Sequence, residues 1–199
     1  MGDRRCHRHR PRPARSAAHV RDAVARRRRR RRRALVPEAV VDTFLAIASK
    51  RDERRYADRP VADDAVTRIL DAGRLSGSSQ NKQRWTFVVV SDTGALADAV
   101  YAPENVRTAG LVVAIVGEAG MFDVGRCAQN MMLAAWDLGV VSCPNGIRDP
   151  DKAAAIAGGE VKMILSFGYP QRELHVEARS AEEWSTRANR KPLDDLVIR

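Results

Sequence analysis

Catalytic side chains have few places to lodge in this chain. Outside the first 34 residues the only histidine is His175, and no carboxylate stands near it at metal-ligand spacing, so it reads as a structural or surface residue. A Ser-His-Asp or Cys-His system would have to rest on that one imidazole, and no motif surrounds any nucleophile. Neither a G-x-x-x-x-G-K-[ST] loop nor a G-x-G-x-x-G after a strand is found, which argues against P-loop and dinucleotide-type sites. Three features remain. Lys50-Arg51-x-x-Arg54 could grip a phosphate through charge-assisted bonds, or stand as a solvated face after a helix. The amide-rich stretch Ser78 to Gln83 offers donors and acceptors to a heteroaromatic edge, or is an ordinary polar turn. Pro144-Asn145-Gly146-Ile147 reads as a turn after a strand, whose backbone N–H groups could face a ligand.

The elements that would hold these features follow from periodicity. Val40, Val41, Phe44, Leu45 and Ala48 recur at helical spacing behind Pro37, which suits a first turn. Asp63 or Asp64 can cap a second helix with Val66, Ile69 and Leu70 inward. The apolar, β-branched run from Trp85 to Val90 reads as a buried strand, followed by a short helix over Ala95 to Tyr101. Leu111 to Val116 and Val161 to Phe167 are two further strands, and Val140 to Cys143 is a short extended piece. Phe122 to Leu138 is a helix apolar or small on most of its circumference, so it must be buried on several sides, in a core or against a partner; Gly139 stops it. Asp149 caps and Pro150 starts another helix that ends at Gly158-Gly159. The polar segment after Pro170 cannot form its own core and should wrap another surface. The sum is an α+β domain with helices around a modest mixed sheet.

The chain has 199 residues, 44% hydrophobic and 30% charged, enough for one sizeable core and too few for two ordinary domains. No apolar run approaches the roughly 18 residues of a membrane span. The formal charge of +10 is misleading as a property of the whole. Residues 1–34 carry fifteen arginines against Asp3 and Asp22, a formal +13, while the remainder has twenty basic and twenty-three acidic residues, a formal −3. The domain boundary is therefore expected near residue 36, with an Arg-rich tail at 1–36 and one folding unit at 37–199.

Arg26 to Arg33 repel one another and should leave the tail disordered. It is either a solvated extension, a stretch omitted by initiation at Leu35 or Val36, or an electrostatic tether to nucleic acid or an anionic membrane. No aromatic residue interleaves the arginines, so base-specific binding is not supported. Cys6, Cys127 and Cys143 are odd in number without C-x-x-C spacing, and no apolar stretch follows the basic start, which fits a reduced, cytoplasmic compartment.

The order and spacing of these pieces resemble the FMN-dependent nitroreductase family. Lys50-Arg51-Asp52-Glu53-Arg54-Arg55-Tyr56 matches that family's R-R-S-x-R-x-F segment, and Gly77 to Trp85 matches its P-S-x-x-N-x-Q-P-W loop. Cys127-Ala128-Gln129-Asn130-Met131-Met132-Leu133-Ala134-Ala135 matches A-x-Q-N-M-x-L-A-A. Gly139 to Cys143, Asp149-Pro150, Phe167-Gly168-Tyr169-Pro170 and Arg190 to Val197 follow in order, so the resemblance covers roughly residues 40–199.

The resemblance implies a homodimer with FMN at the subunit interface, the helix 122–138 as its seam and residues 171–199 as an arm embracing the partner. It implies that Lys50, Arg51, Arg54 and Arg190 hold the phosphate, with Asp52 in the same segment. Ser78, Asn81 and Gln83 would bond the isoalloxazine edge or ribityl chain, and Asn145-Gly146-Ile147 would set a backbone N–H near flavin N5. The implied activity is ping-pong hydride transfer from NAD(P)H to a nitroaromatic, quinone or other conjugated small-molecule acceptor, without a catalytic side chain or metal. The alternatives are a flavin-sequestering dimer without turnover, or an Arg-tailed nucleic-acid-associated protein. Asp52 stands where the family has serine, and should repel the phosphate unless a neighbouring cation pairs with it. Gly77 and Arg84 replace two prolines, and Pro144 and Asn145 replace large apolar residues, departures that leave the acceptor class open and a deazaflavin as an alternative donor to NAD(P)H.

Overall fold

Six apolar residues in a row cannot face water on either side, and the fold buries all of Leu111–Val116 as the inner strand β2. The computed structural model of the chain describes residues 42–172 and 179–198. The Arg-rich tail, the boundary expected at residue 36, the helical turn expected from Pro37 to Val41, and His175 lie outside the described residues.

In chain order the elements are α1 (Thr43–Ser49), α2 (Asp63–Arg74), β1 (Thr86–Val89), α3 (Thr93–Ala97), α4 (Pro103–Arg107), β2, α5 (Met121–Asp137), β3 (Val141–Asn145), α6 (Pro150–Ala157), β4 (Val161–Gly168) and α7 (Ala181–Arg187). Local chemistry accounts for several ends. The Asp92 and Asp149 side chains accept from the Ala95 and Lys152 N–H groups and so cap α3 and α6. Gly158 closes α6 at φ +74°, a conformation that costs glycine least.

The sheet runs β1-β2-β4-β3, and every ladder in it is antiparallel. This corrects the expected mixed sheet. The strands joined through α5, β2 and β3, do point the same way, but β4 inserts between them and opposes both. The one parallel pairing among the described residues is the isolated bridge from Asp52 to Ser142. The side chains of β2 alternate between two cores. Leu111, Val113 and Ile115 pack with Leu165 and Phe167 under α2 and α5, against Ile69, Val124, Cys127 and Met131. Val112, Ala114, Val116 and Ile164 face the other way, against Leu96, Val100 and Val106 and the Ala153 and Ala157 face of α6.

Two further expectations change. Pro144 and Asn145 are the last residues of β3 rather than a turn after it. Proline is admitted because β3 is an edge strand, where a missing N–H breaks no ladder. Two helices were not anticipated: α4, opened by Pro103, and α7, opened by a capping box in which Ser180 and Glu183 bond each other's backbone N–H.

Candidate functional site

The basic segment leaves the C-terminus of α1 and is fixed by backbone before its side chains are considered. The Glu53 N–H donates to the Ser142 carbonyl at 3.1 Å and the Ala57 N–H to that of Tyr169 at 2.8 Å, so the stretch lies along β3 and past the end of β4. Its charges then separate. Lys50 Nζ is paired with Asp52 and also rests 3.5 Å from the Met132 sulfur, with its side chain almost wholly covered. Asp52 thus finds the cation it needs, and that cation is Lys50.

Arg51 turns back on the helix it follows. Its Nη1 donates to the Ala48 carbonyl at 2.6 Å and to that of Lys50 at 3.0 Å, satisfying exposed carbonyls at the end of α1. Its Nη2 is buried and has no acceptor. The guanidinium carbon lies 4.6 Å from the centre of the Trp184 ring on α7. Burial holds the Arg51 pKa below its ordinary value, and the charges of Arg190 and Arg187 add to the effect. Arg54 approaches the Cys143 thiol, whose pKa is raised because burial outweighs that cation. A second orphaned polar atom, Ser142 Oγ, lies on the strand that bridges Asp52. Several cations, a buried donor without an acceptor and a buried hydroxyl form a setting fitted to a phosphate, since a buried unpaired donor costs about 1–3 kcal/mol. Arg190 is therefore brought to Arg51 within one chain, on the segment that was expected to embrace a partner. Trp184 and Arg187 come with it unforeseen, although the Ser180-x-x-Glu183 capping pattern would have announced the helix that carries them.

The amide-rich loop has its own order. Gln80, Asn81 and Gln83 all take left-handed φ, at 52°, 54° and 48°, which costs of the order of 1 kcal/mol each and signals a loop held by its surroundings. The Gln83 N–H donates to Ser78 Oγ at 2.9 Å, and Gln83 Nε2 to Asn81 Oδ1 at 3.1 Å. The Ser79 N–H is anchored on Asp123 Oδ2, at 2.9 Å, in the first turn of α5. A pocket of about 190 Å³ opens there, walled in part by Ser78, Lys82, Gln83 and Glu118. Ser78, Asn81 and Gln83 are thus brought together, but not beside Lys50 and Arg51. Asp123 and Met132 are nine residues apart, about 13 Å along α5, so one chain keeps the two clusters at opposite ends of that helix.

The third feature divides. The Asn145 side chain points inward, its Nδ2 donating to the Cys143 carbonyl at 3.1 Å and to Ser166 Oγ at 3.0 Å, while its Oδ1 accepts from Asn105 at 3.2 Å. Tyr56 closes the network on Ser166 Oγ at 2.8 Å. The Gly146 carbonyl accepts the Tyr101 N–H at 3.0 Å, and Ile147 bridges Val100. Asn145 therefore works through its buried side chain as a tie inside the molecule, and only the backbone of Gly146 and Ile147 stands beyond it. No group of three or more His, Cys, Asp or Glu able to hold a metal occurs among the described residues, and no described helix is long and apolar enough to cross a membrane.

This α+β architecture, with an antiparallel sheet between helical layers and a basic segment crossing the end of α1, is shared with solved structures of nitroreductase-family proteins. The chain belongs to the nitroreductase family, whose sequence profile matches residues 47–111 and 116–169. An Archaeoglobus fulgidus protein, named provisionally as an NADH dehydrogenase/NAD(P)H nitroreductase, is 27% identical over 147 residues, 64% of this chain and 84% of the relative. The solved FMN-dependent nitroreductase of Clostridium difficile R20291 superposes with a TM-score of 0.60 at 23% identity, over 69% of this chain and 91% of that one. The NADPH:FMN oxidoreductase of Vibrio harveyi, solved with NAD+, gives 0.63 at 21% identity, over 70% and 73%.

Proposed function

We propose that this protein is an FMN-dependent oxidoreductase that passes hydride from NAD(P)H to a nitroaromatic, quinone or other conjugated acceptor, working as a homodimer in which donor and acceptor use one site in turn. The observation that carries the reading is the buried, acceptorless Nη2 of Arg51 among the charges of Arg187 and Arg190, an arrangement that calls for a dianion. Family membership and the FMN and NADPH in the names of its structural neighbours support the same cofactor and donor. FMN would supply the hydride relay between a two-electron donor and the acceptor.

The protein's part is to bind, orient and exclude water. Arg51, Arg54 and Arg190 hold the phosphate; Ser78, Asn81 and Gln83 meet the ring edge or ribityl chain; the backbone following Asn145 faces the ring. Asp52 and Lys50 belong to this segment as a mutually neutralising pair. The dimer follows from the separation along α5. Phe122, Gly125, Arg126 and Gln129 face outward from that helix while Val124, Cys127, Ala128 and Met131 face the core. Packing two such faces across a two-fold axis at right angles to the helix lays the copies antiparallel. The amide loop of one copy then meets the arginine cluster of the other, and the site is composed of both.

The test is an absorption spectrum of purified protein, with and without added FMN, before and after anaerobic NADPH or NADH. A bound flavin that bleaches with either donor is the expected result. Flavin that stays oxidised points to a sequestering dimer or to another donor, and no bound flavin even in excess FMN overturns the reading.

A further inference from the structure

We propose that Arg187 on α7 is a phosphate-binding residue that fills the place Asp52 denies to Lys50, and that Trp184 is the positioning residue that holds Arg51 beside it. This rests on the flavin reading and deepens it. Lys50 looks from the sequence like the leading cation of the site, yet its ammonium is paired with Asp52 and its side chain is almost wholly covered by that acid and Met132. One cation is thereby withdrawn from the segment. The C-terminal segment returns it: α7 packs against α1 with Trp184 on Arg51, and Arg187, three residues after Trp184 on the same helix, falls on the same side of α7.

Trp184 has guanidinium carbons at 4.6 Å (Arg51) and 5.0 Å (Arg179) from its ring centre. Such stacking fixes a guanidinium plane and leaves its edge free to bond an anion. The edge of Arg51 is half used: Nη1 caps α1, and Nη2 is the buried atom without an acceptor. Three acids nearby already have partners, Asp52 in Lys50, Glu53 in the Arg54 N–H and Glu183 in the Ser180 N–H. The like charges that remain need an external anion, and a terminal phosphate monoester has the charge and the oxygens to take it.

The experiment measures FMN and riboflavin affinities of the full chain, by flavin fluorescence, for wild type, Arg187→Gln, Lys50→Gln/Asp52→Asn and Trp184→Leu. Riboflavin lacks only the phosphate. Arg187 lies on the surface, so Arg187→Gln keeps the fold, which circular dichroism checks. FMN binding should weaken about 10- to 100-fold in Arg187→Gln, as for loss of one charge-assisted pair, with riboflavin binding unchanged. Trp184→Leu should weaken FMN alone by a smaller factor, and the double variant Lys50→Gln/Asp52→Asn, which removes the neutral pair as a unit, should leave the FMN-to-riboflavin ratio where it was. A ratio unaltered by Arg187→Gln, or lost as fully in Lys50→Gln/Asp52→Asn, overturns the proposal. Should wild type bind neither flavin, the flavin reading fails and the anion site is judged alone, by pyrophosphate quenching of Trp184 fluorescence against a Trp184→Phe control. Quenching abolished by Arg187→Gln sustains the site; absence of quenching overturns it too.

Discussion

At the scale of single residues, what matters is which charges find partners inside the chain. Asp52 and Lys50 cancel each other, so Asp52→Ser should free the ammonium and tighten FMN binding by roughly tenfold while riboflavin is unaffected, as read by flavin fluorescence titration. No change in the FMN affinity would show that Lys50 cannot reach the phosphate even when released. The buried thiols set a pH dependence of their own. Burial pushes Cys127 up to about 11, raises Cys143 as well, and holds the Tyr56 hydroxyl above its ordinary value. Below about pH 8 these groups are largely neutral whether the chain is folded or not, and their contribution to stability is complete. Between about pH 9 and 11 the unfolded chain loses its protons first, so stability falls as pH rises. The urea midpoint should be flat from pH 7 to 8 and decline across pH 9 to 11, and Cys127→Ala should make that decline shallower.

Among the elements, β3 and α7 are the ones on which the proposed site depends. Asn145 ties β3 to Asn105 on α4 and to Ser166 on β4. Asn145→Ala takes the Oδ1 acceptor from Asn105 and leaves it only the Cys143 sulfur at 4.0 Å, while Ser166 Oγ keeps Tyr56, and it should cost about 2 kcal/mol by urea denaturation. Ser180→Ala removes one half of the α7 capping box and should cost about 1 kcal/mol locally. Faster hydrogen exchange confined to residues 181–187, with an unchanged global melting temperature, is the expected signature. The long elements were legible because their patterns are strong: six apolar residues for β2, and a helix running from a glycine-flanked start to Gly139 for α5. What escaped was set by distant partners. Pro144 looks like a strand breaker until the sheet order puts it on an edge, and the inward turn of Asn145 depends on Asn105, forty residues away in the chain. The basic segment and the amide loop were both found by spacing and residue type. Which cation Asp52 would capture, and that α7 would supply another, depended on side-chain geometry that spacing does not carry.

At the scale of the whole molecule, the predicted dimer places the outward face of α5 at its seam. Phe122 is 78% exposed in the single chain. Phe122→Glu should yield monomers by sedimentation, with native circular dichroism and without bound flavin; a monomer that still binds FMN would show that one chain suffices. If each site draws half its contacts from either copy, the cofactor behaves as a bolt between subunits, and the concentration of bound flavin rises with the square of the chain concentration when dimers are scarce. Diluting the protein at fixed FMN would then shed flavin and subunits together. Adding FMN would raise the melting temperature most in dilute samples, where mass action has the greatest distance to move.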